Sequence, residues 1–227
     1  MSTRVLPALI KPAAAPAGLV VNNVAFGSAS GGSPVTLTLS GQTAGRLLAL
    51  FVSNEDNFFQ PRYASSLTIA GAGAVEVSAA RARATRFFQD QFSHQFFWIV
   101  DETSVGDITV AAGMSPDQWQ AICFEITGAN NAAPVGAVQP DTRTSSNCEY
   151  TLNTTAANSL ALSGAHGRAT PFSLATGLVE GQNRNPNSNF FAAAAHRACP
   201  APGAYTMGGT ASGTVTCAGS AVEILAA

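Results

Sequence analysis

The sequence predicts an all-β protein: a single two-layer antiparallel β-sandwich, jelly-roll-like, with an extended N-terminal arm. Three observations predict it. Short runs with apolar residues at alternate positions recur from Leu19 to Leu225, the period of a strand with one buried face. Segments rich in Gly, Pro, Asn and Ser separate those runs, and they reverse the chain because Gly tolerates positive φ and Pro fixes φ. Little of the chain suits a helix: Ala79 to Gln91 offers room for a helical or irregular crossing, and Phe190 to His196 for a short helix if not a strand. Residues 1–18 read as the arm and residues 19–227 as one sandwich domain.

The arm, MSTRVLPALIKPAAAPAG, carries Pro7, Pro12 and Pro16, which rule out continuous helix or a central strand and favour an extended path. Leu6, Leu9 and Ile10 supply its apolar surface, and Arg4 and Lys11 flank them. These five residues are the candidate attachment residues. The apolar run from Val5 to Ile10 is broken by Pro7 and too short for a secretory leader, so synthesis in the cytoplasm without a signal peptide is expected.

Leu19 to Phe26 reads as the first strand, and Gly27 to Pro34 as a flexible connection. Val35, Leu37 and Leu39 alternate with threonines, and Leu47 to Val52 reads as a strand buried on both faces. Asn54 to Tyr63 reads as a loop that mixes charge with aromatic rings. Leu67/Ile69 and Val75/Val77 bracket Gly71 and Gly73 as a tight hairpin.

The stretch from Phe92 to Gly136 organises the prediction as a three-stranded antiparallel meander. Phe96 to Val100 is apolar on both faces, Ile108 and Val110 alternate with polar residues, and Ile122, Phe124 and Ile126 form one face of the third strand. Those three should be buried, with Phe97 or Trp98 reaching the same interior. Glu125 and Glu223 fall at outward positions by the same alternation.

Gly128 to Asp141 then reads as a crossover, Tyr150/Leu152 with Leu160/Leu162 as a hairpin, and Phe172 to Val179 as a strand. Gly181 to Asn189 is a polar tip, and Phe190 to His196 suits a strand or a short helix. Ala204 to Gly209, Thr214 to Cys217 and Ala221 to Leu225 close the sheet. One internal similarity stands out: TLSGQTAGRLLA (Thr38 to Ala49) resembles TLNTTAANSLAL (Thr151 to Leu162). It implies equivalent hairpins in two halves, as a double Greek key would contain.

Charged residues make up 11% of the 227 residues, the formal net charge is -2, and 46% of residues are hydrophobic. So sparse a charged surface suits a protein covered by neighbours, or one kept soluble by neutral Thr, Ser and Asn. A homo-oligomer, as a trimer or a lattice, is therefore expected. Arg81, Arg83 and Arg86 are the only basic cluster, too small to track phosphates, so no nucleic acid is expected as partner. No run approaches the ~20 apolar residues of a membrane-spanning helix. Cys123, Cys148, Cys199 and Cys217 lack C-x-x-C spacing. Cys123 falls in a strand as a small apolar residue, while any two of Cys148, Cys199 and Cys217 could pair under oxidising conditions.

No nucleophile elbow, phosphate loop, zinc-protease or calcium-loop motif occurs. His94, His166 and His196 are far apart in sequence, with no carboxylate at metal-ligand spacing. Paired carboxylates of the glycosidase kind would have to come from Glu55 or Asp56 with Glu125 or Glu223, and their spacing does not favour it. No catalytic residue, metal site or cofactor is assigned. Asn54, Glu55, Asp56, Phe58, Phe59 and Tyr63 form the candidate partner or glycan loop, since oxygen ligands beside aromatics suit a cation, a sugar ring or a neighbouring subunit.

The order of segments resembles that of small β-sandwich proteins of tailed bacteriophages and phage-like particles. RLLALFVSN (Arg46 to Asn54), FFWIVDETSVGDITVAAG (Phe96 to Gly113), AICFEITGANNAAPVG (Ala121 to Gly136), NSLALSGAHG (Asn158 to Gly167) and AVEIL (Ala221 to Leu225) carry the resemblance. It spans residues 19–227, leaves out the arm and brings no catalytic motif. It implies a non-enzymatic virion structural protein, a capsid decoration or cement subunit bound to the major capsid protein or other virion proteins; the arm, which lies outside the resemblance, is the expected attachment device. A tail or fibre component is the nearest variant. A carbohydrate-binding module recognising host surface glycan through the Asn54–Tyr63 loop is the alternative from another class.

Overall fold

The computed structural model describes residues 18–31, 33–39, 45–56, 63–69, 71–86, 90–101, 108–112, 118–168, 171–187 and 190–227. The first half forms β1 (Val20–Ala29), β2 (Val35–Leu37), β3 (Arg46–Asp56), β4 (Leu67–Ile69), β5 (Ala72–Gly73) and β6 (Val75–Glu76). A 3-10 turn (Ser78–Ala80), β7 (Ala82–Arg86), β8 (Asp90–Asp101), β9 (Ile108–Ala112) and β10 (Gln118–Thr127) complete it. The second half forms β11 (Val135–Asn147), β12 (Tyr150–Thr154), β13 (Ser159–Arg168) and β14 (Phe172–Leu174). It ends with β15 (Val179–Asn187), β16 (Phe190–Cys199), β17 (Gly203–Met207) and β18 (Gly209–Ile224). The protein is all-β, and every strand pair among the described residues is antiparallel.

Two 6-stranded sheets form the middle of the molecule. The first runs β1-β10-β3-β8-β6 with β7 also on β8, and the second runs β11-β18-β13-β16-β15 with β14 on β18. Their facing sides share one core, in which Leu47, Phe51 and Phe124 of the first sheet meet Leu162, Ala194 and Val222 of the second. The outer side of the first sheet is covered by the 4-stranded sheet β2-β9-β4-β5, and Leu48, Leu50 and Phe97 pack there against Leu37, Ile69 and Ile108. On the far side of the second sheet lies the 2-stranded sheet β12-β17, where Leu152 and Met207 pack against Ala161 and Ala221. The sandwich thus has outer leaves on both sides of a central sheet pair.

That layering explains the sequence pattern. Leu47 to Val52 is apolar at every position because alternate side chains enter different cores, and all six are buried. β10 behaves likewise: Ile122, Phe124 and Ile126 face the central core, as expected, while Ala121 and Cys123 enter the outer one. Trp98 packs on the central core and Phe97 on the outer one. Burying a side chain such as Phe124 stabilises the fold by roughly 1.5–3 kcal/mol.

Several expectations are corrected. The meander does not form: β8 pairs with β3, β9 with β2 and β4, and β10 with β1 and β3. β8, β9 and β10 instead alternate between the first 6-stranded sheet and its outer leaf, a choice set by long-range pairing rather than by local period. The hairpins inferred at Leu39/Leu47 and Leu152/Leu160 are likewise passages from an outer leaf to a central sheet. Leu67/Ile69 does turn back, but onto β5, and Val75 pairs with Trp98 instead. The crossing at Ala79 to Gln91 contains β7, paired along β8. The crossover and the polar tip contain the edge strands β11 and β15, whose Pro140 and Pro186 are tolerated where one side of the backbone has no partner strand. Phe190 to His196 is strand.

Cys148 and Cys217 form the disulfide, across a sequence separation of 69. Cys199 stays a buried thiol, as does Cys123, which packs in the outer core as the sequence predicts.

Candidate functional site

The candidate loop is largely strand. Asn54, Glu55 and Asp56 continue β3 and pair with Ser93, Phe92 and Gln91 of β8. Asn54 is buried and accepts a hydrogen bond from the Ser93 hydroxyl, so its side chain serves the sheet. The loop reading is corrected for these three residues: the ladder with β8 outlasts the apolar run that marks it in the sequence. Phe58 and Phe59 lie outside the described residues.

Tyr63 is half-buried, with the Arg81 guanidinium 4.9 Å from its ring centre. Arg81 in turn grips Glu76 through two hydrogen bonds of 2.6 and 2.7 Å, and Glu76 also accepts 2.7 Å from Gln95. The Gln95 amide both donates to and accepts from the Ala64 backbone. Burial works to raise the Glu76 pKa, but the hydrogen bonds from Arg81 and Gln95 outweigh it and hold the carboxyl below its usual range. The cluster pins the chain around Tyr63 to β8.

Arg4, Leu6, Leu9, Ile10 and Lys11 lie outside the described residues, so the attachment arm has no structural account.

The two carboxylates expected to face outward are both fully buried. Glu125 pairs with Arg46 at 3.0 Å and accepts a hydrogen bond from the Asn23 amide, with both members of the ion pair at 1% exposure or less. Removing one partner of such a pair costs about 3–5 kcal/mol, because the other charge is left buried and uncompensated. Glu223 accepts from the backbone N–H groups of Ala137, Thr155 and Ala156 and from the Thr155 hydroxyl, at 2.9 to 3.0 Å. Burial pushes its pKa up, yet these donors together hold it below the usual value. Alternation fails at both sites because a second leaf covers the face that one sheet alone would expose. The available signal was an acidic residue between apolar ones, in CFEI and AVEI.

A third polar group sits in the central core. Gln120, Ser53 and His94 are cross-strand neighbours on β10, β3 and β8, all buried. Opposite them lie Gly164, Ser220 and His166 of the second sheet, and Gly164 leaves room for the His94 ring. Burial drives the His94 pKa from 6.5 down to about 3. His166 also falls to about 3, through burial and the proximity of His94, against an opposing hydrogen bond with the Ser93 backbone. Both imidazoles are neutral at physiological pH. Among the described residues neither ring nitrogen of His94 has a hydrogen-bond partner, nor does the Gln120 amide or the Ser220 hydroxyl. Sequence could not bring these groups together, since they come from opposite halves of the chain.

Among the described residues no group of three or more His, Cys, Asp or Glu is arranged to hold a metal ion, and no helix is long and apolar enough to cross a membrane. No family model, no curated protein and no solved structure matches this chain.

Proposed function

We propose that the protein is a non-enzymatic virion structural component, a capsid decoration or cement subunit attached through residues 1–18. The observation that carries this reading is where the charge goes. Only 11% of residues are charged, and three of them are buried inside the fold: Arg46 with Glu125, and Glu223 with its backbone donors. What remains for the surface is mostly neutral, which suits a subunit whose faces are covered by neighbours. The stacked sheets give a stiff body on which such a surface can be displayed, and the proline-bearing arm supplies an anchor that loses little entropy on docking. Contacts of this kind are weak singly and adequate when many subunits share one lattice.

The expected partners are the major capsid protein, other virion proteins and further copies of the chain. A tail or fibre location is the nearest variant. The glycan-binding alternative uses Asn54 and Tyr63, which are engaged within the fold by Ser93 and Arg81. Sugar binding abolished by Phe58→Ala or Phe59→Ala would favour that alternative. Deleting residues 2–17 tests the proposal: the truncated protein should fold and melt as before but no longer join particles, whereas incorporation at normal copy number would remove the arm as the anchor.

A further inference from the structure

We infer that the chain is two copies of one jelly-roll unit, and that the central face of each unit is a docking surface whose occupant is the other copy. The proposal is independent of the virion reading. It rests on register, not on the similarity of two short peptides. Leu47 pairs with Ile126 and Val100, and Leu160 pairs with Ile224 and Ala198, placing β3, β10 and β8 in the roles of β13, β18 and β16. Ile69 pairs with Val110, itself opposite Val35; Leu174 pairs with Gly209, which accepts from the Cys148 N–H. Val75-Glu76 sits opposite Trp98-Phe97 as Val179-Glu180 sits opposite His196-Ala195.

The irregularities repeat as well. β1 breaks register between Val21 and Asn23, and β11 between Val135 and Val138. Each bulge lies beside a buried glutamate, and the equivalent residues donate to it by different groups: Asn23 to Glu125 through its side-chain amide, Ala137 to Glu223 through its backbone N–H. A bulge is a local device, and a bulge at the same place opposite a buried acid in both halves is not required by a sandwich fold. Where Trp119 ties β10 to the start of β2 through Ser33, the equivalent tie in the second unit is the Cys148–Cys217 disulfide.

The two central faces have diverged into complementary partners. Phe51, Phe96 and Ile122 of the first unit stand where the second carries Gly164, Ala194 and Ser220. A Cβ on Gly164 would lie 2.5 Å from the His94 ring and 2.7 Å from the Phe51 ring. Large side chains of one copy thus occupy space left by small ones of the other. Among the described residues each unit also owns an outer core that the other does not enter.

The test uses the full chain with a protease site inserted after Ala132, in the exposed connection between β10 and β11, cleaved after folding. At neutral pH the fragments should stay together as a 1:1 complex by native mass spectrometry. In urea the cleaved protein should then show two transitions. The first, separation of the fragments, should shift to lower urea on tenfold dilution; the second, loss of strand signal, should not. Fragments that part as soon as the chain is cut, or that separate and unfold in one concerted step, would overturn the proposal.

Discussion

Mild acid should weaken the joint between the two central sheets, because His94 and His166 are held neutral there. Each has a folded-state pKa near 3 against 6.5 for the free side chain. The folded protein therefore binds fewer protons than the unfolded chain between those values, and stability must fall as pH drops below 6.5. The slope approaches 1.4 kcal/mol per pH unit per histidine, so at pH 5 each costs about 2 kcal/mol and the pair about 4 kcal/mol. Against a typical total of about 5–15 kcal/mol that is a large loss. Half-buried His196 adds in the same direction, since burial lowers its pKa too. Urea unfolding at pH 7.5, 6 and 5 measures the effect, with His94→Gln/His166→Gln as the comparison. The wild-type curve should drop steeply and the double variant should lose most of the slope. A wild-type stability that changes by less than about 1 kcal/mol over this range, or an undiminished slope in the double variant, would refute the reasoning.

Three further outcomes follow from the packing. Gly164→Ala should destabilise by about 1–3 kcal/mol through overlap with the His94 and Phe51 rings, and His94→Ala in the same chain should relieve much of it, measured as a double-mutant cycle. Cys148→Ala/Cys217→Ala should cost about 4 kcal/mol, the loop-closure entropy for a separation of 69 residues, read from urea midpoints under oxidising conditions. Glu223→Gln should leave donors at Ala137, Thr155 and Ala156 poorly matched and lower stability at pH 7 by about 1–3 kcal/mol. Since the native carboxyl is held below its usual pKa, that difference should shrink as acid protonates it in the wild type.

Most strands were readable from local period, the edge strands β11 and β15 and the short β7 were not, and strand partnership was not. Ile108 and Val110 announce a half-buried strand, yet nothing local says that Ile108 joins Leu37 and Val110 joins Val35 and Ile69 rather than Phe97. Glu125 obeys the alternation that should expose it, and only the covering leaf and the Asn23 bulge make it an interior acid. The leucine pairs at Leu39/Leu47 and Leu152/Leu160 did mark equivalent places in two halves. The rest of the repeat is carried by register, where Phe51 answers to Gly164 and Trp119 to Cys217, and substitutions of that size leave no peptide similarity. The candidate site shows the same limit. Asn54 reads as a loop residue because polar side chains follow an apolar run, while its backbone continues the ladder opposite Ser93.

The virion reading is tested most directly by a mass-spectrometric inventory of purified particles with copy numbers, made for the intact chain and for the chain lacking residues 2–17. The account predicts many copies per particle for the intact protein and none for the truncated one, with both folded in solution. An intact protein that is absent from every particle and sediments as a monomer would contradict it.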